Sequence, residues 1–202
     1  MKELVQQLKE IGVLKTPDII KAFLMIDRKN FVLLEYQDQT YEDCPLPIGF
    51  GQTISQPYTV AFMLELLQPK KGEKILDVGA GSAWTTALLA QIVSSTGKVF
   101  GTELQQELVR FGKENLAKYD FPWAEIHQTQ KGGLGLLKEA PFDKILVSAA
   151  ANKDIPQKLL SQLAEDGVMV IPVNDAVVRI QKIPGKKPKV QEFEGFAFVP
   201  LL

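Results

Sequence analysis

The chain has 202 residues, 46% of them hydrophobic and 23% charged, enough for one domain with a full core and ordinary for a globular protein. Its formal net charge of -1 supplies no global positive field to gather nucleic acid or an anionic membrane, and no apolar run approaches a membrane span. One cysteine, Cys44, and one histidine, His127, exclude a disulfide framework and argue against a bound metal.

Residues 2–11 place Leu4, Val5, Leu8 and Ile11 at helical spacing. This opening stretch has neither a signal-peptide core nor a cleavage site, so a soluble cytoplasmic protein is expected. Thr16-Pro17-Asp18 reads as a helix start, with Thr16 as the cap and Pro17 where its missing N–H is not needed. That helix runs to about Asp27. Residues 28–57 show little regular pattern, and an irregular stretch of that length is usually functional. A helix then starts at Gln56-Pro57, carries Val60, Met63, Leu64 and Leu67, and is stopped by Pro69.

From there the pattern repeats. An apolar run at 74–78 and the stretches 98–102, 124–129, 144–149 and 168–173 read as strands, with helices after the first two and near 157–163. Short strands that are apolar on both sides, alternating with helices, indicate a parallel sheet covered on each face. Residues 177–183 and 190–198 flank a Gly185-Lys186-Lys187-Pro188 turn and read as an antiparallel pair closing the sheet. The expected fold is a Rossmann-like three-layer α/β sandwich. Its mostly parallel seven-stranded sheet ends in an antiparallel strand or hairpin. A single domain is expected, residues 1–56 covering a core of residues 57–202.

Ile75-Leu76-Asp77-Val78-Gly79-Ala80-Gly81-Ser82 is a strand, a tight turn and a helix start. Gly79 permits the turn, and Gly81 removes a side chain where a ligand must approach the backbone. Glu103 ends the next strand, placed to accept hydrogen bonds from ribose hydroxyls. Trp84 occupies the last glycine position of the dinucleotide fingerprint, so that motif is incomplete. Asp77 at the loop entrance would repel a pyrophosphate but suits a cationic sulfonium and an ammonium group. These residues favour S-adenosylmethionine over a nicotinamide dinucleotide.

The run Pro45-Leu46-Pro47-Ile48-Gly49-Phe50-Gly51-Gln52-Thr53-Ile54-Ser55-Gln56-Pro57 closely resembles the signature of the protein-L-isoaspartate O-methyltransferases. Arg28 with Phe31-Val32, Ala140-Pro141-Phe142-Asp143, residues 148–151, Gln162-Leu163, Ile171-Pro172-Val173 and Phe198-Val199-Pro200-Leu201 extend it over nearly the whole chain. The resemblance implies methyl transfer to the α-carboxylate of L-isoaspartyl residues in damaged proteins and peptides. The ester then collapses to a succinimide that partly reopens to normal aspartate. A carboxylate is already nucleophilic at neutral pH, so such an enzyme needs no metal and no strong base.

By resemblance Ser55 is the catalytic residue, hydrogen-bonding the acceptor carboxylate beside the transferring methyl; the same serine is also placed to cap the helix at Pro57. The resemblance puts Thr53, Ile54, Asp77, Gly79, Ala80, Gly81, Ser82, Glu103, Leu104, Gln130, Lys131 and Gly132 around the methyl donor, and Ile54, Ser55, Ala149 and Ala150 around the substrate. It also implies isoaspartyl proteins and peptides as partners, and a monomer. Gln130-Lys131-Gly132 departs from the family's Gly-Asp-Gly, whose aspartate accepts from the adenine amino group; lysine cannot accept. Asn174 replaces a glycine after Pro172-Val173, and Ala83 another in the glycine loop. Two further readings fit these residues: methylation of a different carboxylate acceptor, and a non-catalytic descendant suggested by Lys131. His127 reads as structural and Cys44 as an unreactive thiol.

Overall fold

Leu4, Val5 and Leu8 on one stripe bury helix α1 (Lys2–Glu10), and Ile19, Ala22 and Phe23 do the same for α2 (Pro17–Met25). The computed structural model describes residues 1–202. Thr16 stands at the N-cap of α2, but its hydroxyl does not cap it. It donates instead to Glu65 Oε2 at 2.7 Å, while the Lys15 and Thr16 amides donate to Glu65 Oε1.

Residues 28–57 are more ordered than their sequence suggests. Two 3-10 turns, Arg28–Phe31 and Leu34–Gln39, lead to a small antiparallel hairpin of β1 (Leu46–Gly49) and β2 (Gln52–Ile54). Gly49, Phe50 and Gly51 turn it with φ of 92°, 55° and 72°; the glycines enter this region freely, whereas Phe50 holds a side chain in it. Helix α3 (Pro57–Leu67) follows. Its N-cap residue is Gln56, and the carboxylate that serves its first turn is Asp43, which accepts from the Tyr58 amide at 2.7 Å. Ser55 is therefore not the cap.

The strands β3 (Lys74–Val78), β4 (Lys98–Glu103), β5 (Ala124–Gln128), β6 (Phe142–Val147) and β7 (Leu163–Val173) are parallel, and β8 (Ala176–Ile183) and β9 (Lys186–Glu194) add on antiparallel. The sheet order is β5-β4-β3-β6-β7-β8-β9, so the chain builds outward from β3 through β4 and β5, then returns to β6 on its other side. The crevice at the carboxyl ends of β3 and β6 is the switch point where open α/β sheets bind ligands.

Alternate strand residues enter opposite clusters. Ile75, Val99, Ile126, Leu146 and Val170 pack under α1–α3 and the helices α4 (Trp84–Val93) and α5 (Gln106–Leu116). Leu76, Phe100, Ile145, Met169 and Ile171 form the other cluster, joined by Leu159 of α6 (Gln157–Leu160). Both faces are buried, as a parallel sheet requires. The second covering layer is thin, because α6 stops three residues short of the expected 163 and β7 starts five residues before the expected 168. Glu165-Asp166-Gly167 reads as a turn, yet Leu163 already pairs with Phe142 across a register irregularity. At the other end, the hairpin turn is shorter than expected. Lys186, Lys187 and Pro188 lie inside β9, a proline tolerated because β9 is an edge. Asn174 adopts φ 53°, taking the glycine's turn between β7 and β8.

Candidate functional site

The glycine loop is hung on the end of β4. The Gly79 and Ala80 amides both donate to the Thr102 carbonyl, at 2.9 and 3.0 Å. Gly79, Gly81 and Ala83 take left-handed φ of 79°, 52° and 73°. At Ala83 a side chain occupies a conformation that glycine enters without strain, which explains the glycine common at that position. A Cβ on Gly81 would sit 3.0 Å from Ile48 Cδ1, so β1 closes directly over the loop.

Glu103 is buried and faces the cavity at this crevice. Its Oε1 accepts from the Leu104 and Gln105 amides at 2.7 and 3.0 Å, and its Oε2 from the Gly81 amide at 3.0 Å. A carboxylate offers about four acceptor positions, so Oε2 keeps one for a ligand hydroxyl. Asp77 behaves differently from expectation. It is fully buried beneath the loop, outside the cavity wall, with Oδ2 accepting from the Thr85 and Thr86 hydroxyls at 2.7 Å each and Oδ1 unpartnered. Burial pushes its carboxyl up to about 6; the two threonine hydroxyls oppose the rise and Glu103 adds to it.

The cavity has an empty volume, mouth included, of about 950 Å³, at the upper end of small-molecule sites (roughly 300–1,000 Å³). Thr53, Ile54, Ser55, Gly79, Ala80, Gly81, Ser82, Glu103, Leu104, Gln130 and Ala149 all line it, as expected from sequence. No lysine, arginine or histidine does; Glu103 is the only charged side chain in the wall. Such a wall disfavours a pyrophosphate and favours a cation.

Besides Asp77, three expected residues are not in the wall. Lys131 and Gly132 are exposed on the turn beyond Gln130 and form no part of the wall, so the motive for a non-catalytic reading weakens. Ala150 is committed elsewhere: its amide donates to the Val199 carbonyl and its carbonyl accepts from Leu201, both at 2.8 Å. This bridge brings residues 199–202 into the wall, a contribution no local motif announces. Thr129, Gly133, Leu134 and Gly135 also line the cavity and escaped the sequence reading. Gln162, almost fully buried, holds that loop, accepting from the Leu136 amide at 2.7 Å and donating to the Leu134 carbonyl at 3.0 Å.

An open groove adjoins the cavity and shares Thr53, Ser55, Ser148 and Val199 with it. Its outer wall is aromatic, from Tyr58 and Phe62 on α3 to Phe193 at the end of β9 and Phe196 and Phe198 beyond it, with the Phe62 and Phe196 rings stacked at 4.9 Å. The Ser55 hydroxyl has no protein partner, while its carbonyl accepts from Arg28 at 3.1 Å. Trp84 lines the cavity, meets Phe23 edge-on at 5.5 Å and lies under the Arg28 guanidinium. His127 and Cys44 stand outside both spaces.

A sheet of this order, with an acid-walled cavity at its switch point, defines the Rossmann-like fold of class I methyltransferases. The family model of protein-L-isoaspartate(D-aspartate) O-methyltransferases matches residues 1–202, and the chain belongs to that family. It is 40% identical to the protein-L-isoaspartate O-methyltransferase of Methanopyrus kandleri, covering 100% of this chain and 90% of that one. The Aeropyrum pernix protein of the same name is 42% identical, with 98% and 78% covered. Among solved structures, one from Plasmodium falciparum in complex with S-adenosyl-L-homocysteine superposes with a TM-score of 0.84 at 27% identity, covering 100% of this chain and 97% of that one. A further protein-L-isoaspartate O-methyltransferase structure shares the fold with a TM-score of 0.87 at 24% identity; 99% of this chain spans 65% of that longer one.

Proposed function

We infer that the chain transfers a methyl group from S-adenosylmethionine to the α-carboxylate of L-isoaspartyl residues in damaged proteins and peptides. Family membership supports the activity. The observation that carries the site assignment is the shared wall: Ser55, with Thr53, Ser148 and Val199, lines both a cavity free of lysine, arginine and histidine and the adjoining aromatic groove. Glu103 would hold the methyl donor by accepting a ribose hydroxyl on Oε2, and Gln130 with the loop Gly133-Leu134-Gly135 would border the base. Bound there, S-adenosylmethionine supplies an electrophilic methyl on a positively charged sulfur. The negative field of Glu103, with Asp77 beneath it, suits that charge.

The peptide lies in the groove and presents its carboxylate at Ser55. The Ser55 hydroxyl orients one carboxylate oxygen without neutralising it, as a lysine there would. Ser148, Ala149 and Val199 leave room for main chain and exclude water from the line of transfer. No group has to take a proton, which fits a wall with no histidine. We assign residues 1–56 to covering this site and residues 57–202 to the core. No helix of the chain is long and apolar enough to cross a membrane. We place the enzyme in the cytoplasm, acting as a monomer on isoaspartyl proteins and without nucleic acid or membrane partners.

The test follows an isoaspartyl peptide during incubation with enzyme and S-adenosylmethionine. Loss of isoaspartate with growth of succinimide and normal aspartyl peptide is expected. An unchanged isoaspartyl content under conditions where the enzyme binds S-adenosylhomocysteine would contradict the acceptor assignment.

A further inference from the structure

Arg28 is the largest charged side chain in the interior and is fully buried. Its Nη1 donates to the carbonyls of Thr40 and Glu42 at 2.8 and 3.2 Å, and its Nη2 to those of Cys44 and Ser55 at 2.8 and 3.1 Å. Every terminal N–H is therefore used, and only Nε lacks a partner. The guanidinium carbon lies 5.4 Å from the centre of the Trp84 ring, the first residue of α4 and part of the cavity wall. Burial lowers the Arg28 pKa to about 10, with Cys44 and Asp43 opposing the fall, so it stays charged at neutral pH.

We propose that Arg28 is the positioning residue for Ser55: its rigid fork ties the Ser55 backbone to the 40–44 segment and, through its stack on Trp84, to the cofactor side of the site. This rests on the role assigned to Ser55 above. Ser55 sits between β2 and α3, outside any regular ladder, and its hydroxyl has no protein hydrogen-bond partner to locate it. Its carbonyl is fixed by Arg28 alone among the side chains. A lysine presents three donors from one point and cannot span four carbonyls or stack as a plane. Lysine in this place therefore keeps the charge and loses the geometry.

The experiment is a double-mutant cycle of Arg28→Lys and Ser55→Ala, with Arg28→Met as a second probe. Steady-state kinetics use an isoaspartyl peptide well below each variant's melting temperature, and calorimetry measures S-adenosylhomocysteine affinity. Arg28→Lys is expected to lower kcat by about tenfold or more, because small misplacements of a reacting group are that costly, with S-adenosylhomocysteine Kd changed less than about threefold. In the Ser55→Ala background the same substitution is expected to change kcat by less than about twofold, since there is no hydroxyl left to misplace. Equal, additive losses in both backgrounds would overturn the proposal, as would parallel loss of kcat and S-adenosylhomocysteine binding. If neither Arg28 variant folds, Arg28 is a folding residue and the proposal falls. If Ser55→Ala itself leaves kcat unchanged, the assignment of Ser55 fails first, a result distinct from the others.

Discussion

In the proposed reaction Ser55 and Glu103 serve opposite ends of the transfer, and their removal is expected to have different effects. A hydrogen bond to a charged partner contributes about 1.5–3 kcal/mol, so Ser55→Ala is expected to lower kcat/KM roughly 10- to 150-fold, with S-adenosylhomocysteine affinity nearly intact. Glu103→Gln puts an NH2 group among the three backbone amides that the carboxylate now serves. Calorimetry should show its S-adenosylhomocysteine affinity weakened by about tenfold or more, since a buried donor then lacks an acceptor. Asp77 governs stability instead. Its folded pKa of about 6 lies above the ordinary 3.8, so its contribution is fully present below about pH 3.8 and is lost as pH rises through 6. At neutral pH the ionised form weakens the ligand-free fold by roughly 3 kcal/mol. Asp77→Asn should therefore melt higher than the parent at pH 7.5, with the gap closing toward pH 4. An equal difference at both pH values would contradict the burial argument.

Among the elements, the inner strands of the parallel sheet were legible because burial on both faces makes them largely apolar, whereas the edge strand β5 (Ala124-Glu125-Ile126-His127-Gln128) carries a weaker signal. The β1–β2 hairpin was not, since strands of four and three residues around Gly49-Phe50-Gly51 carry too little alternation to register. The start of β7 was hidden by Glu165-Asp166-Gly167, whose polarity mimics a turn. Packing of α5 on the glycine loop gives an element-level prediction. A Cβ at Gly112 would stand 2.9 Å from the Gly81 carbonyl oxygen and 2.9 Å from Ile126 Cδ1. Gly112→Ala should lower the melting temperature and weaken S-adenosylhomocysteine binding together, because the helix can retreat only by shifting the loop. A variant that melts lower but binds normally would show that α5 and the loop are independent. If the hairpin over Gly81 closes as a lid, limited proteolysis between residues 28 and 56 should slow when S-adenosylhomocysteine is bound, and identical cleavage with and without it would contradict the closure.

At the scale of the molecule, the cavity is closed from both directions of the chain: residues 48–55 from one side and residues 199–202 from the other, bridged to Ala150. The loop residues Gly79, Ala80, Gly81 and Ser82, with Glu103, were readable from spacing alone. Thr53, Ile54 and Ser55 were readable only through resemblance, because a serine in an irregular loop has no period. The tail and the loop Gly133-Leu134-Gly135 were unreadable, since tertiary bridges to Ala150 and Gln162 bring them in. Lys131 misled for the same reason: its position in the sequence says nothing about the turn that points it outward. The most direct test of the whole account incubates the enzyme with methyl-labelled S-adenosylmethionine and two peptides identical except for one residue, isoaspartyl in one and aspartyl in the other. Label confined to base-labile ester on the isoaspartyl peptide is predicted. Equal labelling of both, or of neither, would contradict the account.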